Sequence, residues 1–253
     1  ALNLFERMQG EGFCPDSVTF LCILKACSSI GAADKGEKIH EAIIREGLLG
    51  KDNLLSNSLV DMYAKCGALA KAQEVFDDLL DRDVVVWTAL MAGYAQIGNH
   101  EIVFDLFKKM MREGIEPDLA TFTVVLNACS SSGLVNEGEM YFKIMSERYR
   151  ILPTLEHQTC MVDLFARAGH FEKAMTMIKK MPSSDYLPAW SSLLGACAKW
   201  GNVKLGRLAF EHSVRLDEKN AGAYVLMSDI YTSAGMQEDA DMINALKMRN
   251  GQW

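Results

Sequence analysis

One glycine recurs through the chain at a nearly constant interval, and no other feature limits the fold so tightly. Gly31, Gly67, Gly98, Gly133, Gly169, Gly201 and Gly235 close the phrases KACSSIG, DMYAKCG, AGYAQIG, NACSSSG, DLFARAG, GACAKWG and SDIYTSAG, with gaps of 36, 31, 35, 36, 32 and 34 residues. Eight residues before each stands Ile23, Leu59, Leu90, Val125, Met161, Leu193 or Met227, and four before stands Cys27, Tyr63, Tyr94, Cys129, Phe165, Cys197 or Tyr231. A spacing of four along one face is helical, and a glycine closing such a run is a helix stop. Five after each glycine comes a small or slender residue (Gly36, Ala72, Val103, Gly138, Ala174, Gly206, Ala240), which predicts that the second helix lies close against the first. Each unit reads as helix, glycine turn, helix. Such a hairpin cannot bury its apolar faces alone, so neighbours must stack. The predicted fold is all-α, a right-handed α-solenoid of helix-turn-helix repeats with a concave inner surface.

Composition removes several classes of function. Of the 253 residues 49% are hydrophobic and 23% charged, a globular balance. No run approaches the roughly 18 apolar residues of a membrane span, so no membrane partner is expected. A net charge of −7 speaks against coating nucleic acid by bulk charge, but it leaves room for local cations such as Lys25, Lys65 and Lys199 near first-helix ends. The seven cysteines contain no C-x-x-C, which argues against a zinc ribbon, a redox pair and a disulfide framework and for a reducing compartment. His170-Phe171-Glu172 spells H-x-E, half of a zinc deaminase signature, without the P-C-x-x-C that would complete the metal site. His157 and Cys160 could share a metal, but two ligands are too few. No phosphate-binding glycine motif occurs. No catalytic residue, metal or cofactor is therefore assigned. The chain opens on Ala1 with no targeting segment, and it reads as a piece of something longer.

The repeat lengths cycle through long, short and standard, and the phrases PDSVTFLCILKAC, NSLVDMYAKCG, RDVVVWTALMAGYAQIG and EGIEPDLATFTVVLNACSSSG belong to a known pattern. Over essentially its whole length the chain resembles plant pentatricopeptide-repeat proteins of the class whose repeats alternate in length, commonly organellar RNA-editing specificity factors. On that resemblance residues 1–16 are the second helix of a truncated repeat. Residues 17–186 are five repeats: 17–52 long, 53–83 short, 84–118 standard, 119–154 long and 155–186 short. Residues 187–253 are two extension motifs similar to tetratricopeptide repeats. A cytidine deaminase domain follows in many relatives.

The resemblance also implies how bases would be chosen, by the fifth residue of each repeat together with its last. The fifth positions are Leu21, Asn57, Thr88, Thr123 and Thr159; the last are Asp52, Asp83, Asp118, Thr154 and Tyr186. Asn57 with Asp83 matches the family's pairing for U, with C second, and Thr88 with Asp118 its pairing for G, which gives a core of 5′-UG-3′. Thr123 with Thr154 and Thr159 with Tyr186 leave their bases open, and Leu21 cannot read a base edge. Val18, Leu54 and Val85 fit the aliphatic wedge at the second position; Ala120 is weak and Glu156 departs from it. The plain structural roles compete. Asp16 and Asp118 follow proline, where an N-cap is expected, and Thr19 and Thr121 read as caps too. Asn57 is a poor helix former in mid-helix and needs a reason.

The expected partner is thus single-stranded RNA, with a deaminase or other editing-complex protein docking on 187–253. The expected location is a mitochondrion or chloroplast, the transit peptide lying outside this chain. The alternatives are a tetratricopeptide-like protein scaffold and a factor for organellar RNA splicing or stability.

Overall fold

The computed structural model describes residues 2–49, 53–183 and 185–250. Among these the chain forms α1 (Leu2–Gly10), α2 (Ser17–Ile30), α3 (Ala33–Arg45), α4 (Asn53–Lys65), α5 (Leu69–Asp78), α6 (Val84–Gln96), α7 (His100–Arg112), α8 (Leu119–Ser132), α9 (Val135–Glu147), α10 (Leu155–Arg167), α11 (Phe171–Lys180), α12 (Leu187–Trp200), α13 (Val203–Leu216), α14 (Ala221–Ser233) and α15 (Gln237–Asn250), with no strand. All seven turn glycines lie between paired helices in the left-handed region, with φ from 65° to 80°, a conformation glycine enters without steric cost. The fold is the all-α solenoid of helical hairpins that the period implies. It divides into two compact units, Ala1–Ala128 and Cys129–Trp253.

In the first unit α2, α4 and α6 pack side by side, and each pairs with the helix that follows it. Ile23, Leu59 and Leu90, eight residues before their glycines, are all buried, as are Cys27 and Tyr63 four before. Aromatic rings join successive layers: Phe76 of α5 meets Trp87 of α6 edge-on at 4.6 Å, and Phe107 meets Phe122 at 5.9 Å. Trp87 is wholly buried, and truncating such a ring typically costs about 3–5 kcal/mol. The second unit repeats the scheme with α10, α12 and α14 as adjacent first helices. Its special contact is a flat stack of Trp190 on His212, with ring centres 3.9 Å apart.

Three of the small residues after the glycines, Gly36, Gly138 and Gly206, face the next repeat, Gly138 and Gly206 their own hairpin as well. A side chain added at Gly36 would collide with Met62 of α4, one at Gly138 with Leu164 of α10, and one at Gly206 would come within 2.8 Å of Ile230 in α14. The nearest atoms thus belong to the next repeat's first helix. The hairpin's own first helix is in contact as well, with Cys129 Cβ and Cys197 Cβ each 3.4 Å from the positions at Gly138 and Gly206. Smallness at this place mainly governs stacking between repeats, because a second helix is wedged between two first helices.

Candidate nucleic-acid interface

The second residues of the first helices are uncovered. Val18, Leu54 and Val85 are 64%, 60% and 54% exposed, although each heads a helix with a buried apolar face. Ala120 and Glu156, at the equivalent places, are exposed as well. An aliphatic side chain left in water three times at one register position can lie against the face of a flat ligand. Between α2 and α4 a groove of about 220 Å³ is lined by Leu21, Lys25, Ser28, Leu54, Ser58 and Asp61, which places the fifth residue of one repeat beside the second of the next.

Asn57 and Asp83 meet. Asp83 is the N-cap of α6: its Oδ1 accepts from the backbone N–H groups of Val85 and Val86, both at 3.0 Å. Its other oxygen, Oδ2, accepts from Nδ2 of Asn57 at 2.8 Å. One carboxylate therefore starts a helix and grips the preceding one, so capping and side-chain orientation are a single arrangement. A carboxylate only accepts, so the amide must turn its nitrogen inward. The contact also explains an asparagine in mid-helix, since it is buried and its donor is satisfied.

Thr88 and Asp118 do not touch directly. Asp118 Oδ1 accepts from the backbone N–H and the hydroxyl of Thr121, both at 2.8 Å, and Thr121 Oγ1 lies 2.8 Å from Thr88 Oγ1. Thr121 is the intermediary, at full burial, and its capping role conceals this in the sequence. Asp16 and Thr19 repeat the cap, with Thr19 N and Oγ1 at 2.8 and 2.6 Å from Asp16 Oδ1. That hydrogen bonding holds the Asp16 carboxyl below its ordinary pKa. Asp52 lies outside the described residues.

The second unit places the remaining residues differently. Thr154 turns to its own helix, its hydroxyl 2.7 Å from Nδ1 of buried His157. Thr159 donates back to the Leu155 carbonyl at 2.8 Å, as Thr123 of the first unit does to Leu119 O at 3.1 Å. Tyr186 precedes α12 without a side-chain cap bond. A groove of about 480 Å³ between α10 and α12 is lined by residues that include Asp163, Arg167, Ser191, Ser192 and Lys199. Here Arg167 Nε and Ser130 Oγ share Asp163 Oδ2 at 2.7 and 2.6 Å; the Asp163–Arg167 spacing of four is legible in the sequence, the Ser130 partner is not. Lys65 is similarly bound to Asp61 at 2.7 Å. Two first-helix cations are thus matched by carboxylates.

Among the described residues no three His, Cys, Asp or Glu side chains gather as a metal site. His170 stands exposed ahead of α11. Burial pushes the Cys129, Cys160 and Cys197 thiols up to about 12, so they stay protonated as core residues.

A pentatricopeptide-repeat model ("PPR repeat") matches residues 55–84, 120–149 and 159–186, the "PPR repeat family" model matches 82–131, and the "E motif" model matches 200–252. The chloroplastic pentatricopeptide repeat-containing protein DOT4 of Arabidopsis thaliana is 43% identical over 253 residues, covering all of this chain and 29% of its own length. The mitochondrial pentatricopeptide repeat-containing protein At5g40410 of the same plant is 39% identical over 250 residues, covering 99% of this chain and 41% of its own length. The chain therefore spans well under half of these relatives. In structure it is similar to the pentatricopeptide repeat protein PPR10 from maize, with a TM-score of 0.68 at 17% identity, over 98% of this chain and 36% of that one. PPR10 in complex with an 18-nt psaJ RNA element gives 0.66 at 16% identity, over 98% and 42%.

Proposed function

The chain belongs to the pentatricopeptide-repeat proteins that carry an E motif, and on that premise we propose that its first-helix faces read single-stranded RNA, with 5′-UG-3′ as the core. Asn57 with Asp83 takes the U and Thr88 with Asp118 the G, while Val18, Leu54 and Val85 wedge between bases. The observation that carries this is the 2.8 Å hydrogen bond from Asn57 to Asp83, which joins two residues 26 apart in a polar pair beside an exposed aliphatic ridge. Thr123, Thr154 and Thr159 line the same path without selecting a base clearly. The parse of 17–186 into five repeats and 187–253 into two extension motifs supplies the register. RNA read N- to C-terminally then places the edited cytidine about four nucleotides beyond the last short repeat, as the family's alignment has it.

The role is that of the specificity part of an organellar C-to-U editing factor, in a chloroplast or mitochondrion. Residues 187–253 dock a deaminase or another editing protein, and these 253 residues do not themselves catalyse. Stacking on an aromatic platform is worth roughly 1–3 kcal/mol per base and an aliphatic wedge less. Two clear base pairs and three vague ones therefore fall near or below the ~8.2 kcal/mol of micromolar binding.

Fluorescence anisotropy with a short labelled RNA containing 5′-UG-3′, against one with the two bases swapped, tests this at low and moderate salt. A preference for the first that vanishes in Asn57→Ala and Thr88→Ala is expected. Binding equal for both and driven by salt alone overturns the base-reading role. The net charge of −7 and the pairing of Lys65 and Arg167 with carboxylates favour a second reading, a protein-binding scaffold, which no RNA binding at all would support.

A further inference from the structure

A threonine hydroxyl both gives and accepts a hydrogen bond, so Thr88 alone cannot tell a base edge that offers a proton from one that offers a lone pair. Its neighbours remove the ambiguity. Thr121 Oγ1 lies 2.8 Å from Asp118 Oδ1 and 2.8 Å from Thr88 Oγ1. The carboxylate has no proton to give, so the Thr121 hydroxyl proton goes to Asp118. With that proton committed, Thr121 Oγ1 can only accept from Thr88, and the Asp118 backbone N–H at 3.3 Å adds a second donor to the same oxygen. The Thr88 proton therefore points inward at Thr121, and the lone pairs of Thr88 Oγ1 are what it offers to a ligand.

We propose that Thr121 is a specificity-determining positioning residue, which locks Thr88 as a hydrogen-bond acceptor and so selects, at the base facing Thr88, a purine bearing a proton on ring N1 over one bearing a lone pair there. This rests on the RNA-reading function proposed above. Guanine has the N1 proton and adenine the lone pair.

The Asn57 site reaches the same polarity by another route. The residue that corresponds to Thr121 in α6 is Val86, which has no hydroxyl, and there the longer amide reaches Asp83 unaided. A short fifth residue needs the relay; an amide does not. Thr159 is short and has Ala189 at the corresponding place, and its hydroxyl instead turns back to Leu155 O.

The test measures anisotropy of the 253-residue chain with RNAs that carry UG or UA at the core, for wild type, Thr121→Val and Thr121→Ser. Thr121→Val should cut the UG-over-UA preference by about five- to tenfold, the worth of one hydrogen bond, and Thr121→Ser should restore it. A merely structural role would weaken both RNAs alike. In parallel, inosine in place of G keeps the N1 proton and should retain most of the preference, whereas 2-aminopurine keeps the 2-amino group without that proton and should bind like adenine. These RNA-side arms use the wild-type chain and stand even where the valine variant folds poorly. Unchanged preference in Thr121→Val, or 2-aminopurine bound like guanine, overturns the relay alone. A wild-type chain that binds no RNA overturns the function proposed above together with it.

Discussion

In the first unit two of the carboxylates that start first helices have two clients. Asp83 caps α6 and holds Asn57, and Asp118 caps α8 and, through Thr121, holds Thr88. In the second unit the corresponding residues serve only their own helices. Thr154 bonds His157, Asn220 accepts from Ala223 N, and Tyr186 makes no cap bond. The fold is the same in both, yet only in the first does the turn reach back to orient the preceding fifth residue. A charged acceptor with two oxygens can satisfy a helix terminus and a neighbour at once. Thr154, Tyr186 and Asn220 have no second carboxylate oxygen with which to reach back.

Removing a two-client cap should expose this difference most strongly. Asp83→Ala loses a cap worth ~1 kcal/mol and leaves the buried Asn57 amide unpaired, a further ~1–3 kcal/mol. The expected loss of roughly 2–4 kcal/mol should be read by chemical denaturation, with selectivity for U lost in the RNA assay. Thr154→Ala should cost only about 1 kcal/mol and leave base preference unchanged; losses of equal size would erase the contrast between the units.

Building the missing device should sharpen it. Tyr186→Asp with Ala189→Thr reproduces the Asp118–Thr121 pair ahead of α12. Selectivity for the base facing Thr159 should then rise by a few-fold, on the order of one hydrogen bond, while Tyr186→Asp alone changes little. Acid should affect both units alike. Burial lowers the pKa of His40, beside the Tyr63 hydroxyl, and of His212, beneath Trp190 and near Arg215. The unfolded chain therefore takes up protons first. Stability is undiminished above about pH 6.5 and declines as the pH falls through it. Calorimetry between pH 7.5 and 5 should show the melting temperature falling, and less steeply in His212→Phe; a flat profile would contradict the assignment. The smallest effects belong to the ion pairs. Lys65→Ala should cost no more than ~0.5 kcal/mol and Arg167→Ala up to ~1 kcal/mol, since Asp163 is the more buried carboxylate and also holds Ser130.

Much of this was legible in the residues. The turn glycines with their apolar partners at four and eight residues define every hairpin from Gly31 to Gly235. Asp118 after Pro117 announces a cap, and Asn57 in mid-helix announces a need. The role of Thr121 was hidden because Thr19 makes the same local bonds in the similar phrase PDSVTF, and nothing in either phrase shows what lies beside it. Gly36, Gly138 and Gly206 were legible as close-approach points but not as points facing the next repeat, since smallness carries no direction.

The chain by itself determined what depends on near neighbours: where helices begin, where glycine ends them, and which face is apolar. Those follow from interactions within about one helical turn, which composition and spacing encode directly. Only the tertiary structure decided that Asn57 meets Asp83, that Thr88 meets Thr121 and that Ser130 meets Asp163, pairs 26, 33 and 33 residues apart. A period can bring such residues to the same face. Which atom donates to which turns on tenths of an ångström and on a proton count, and both are fixed only when neighbouring helices pack.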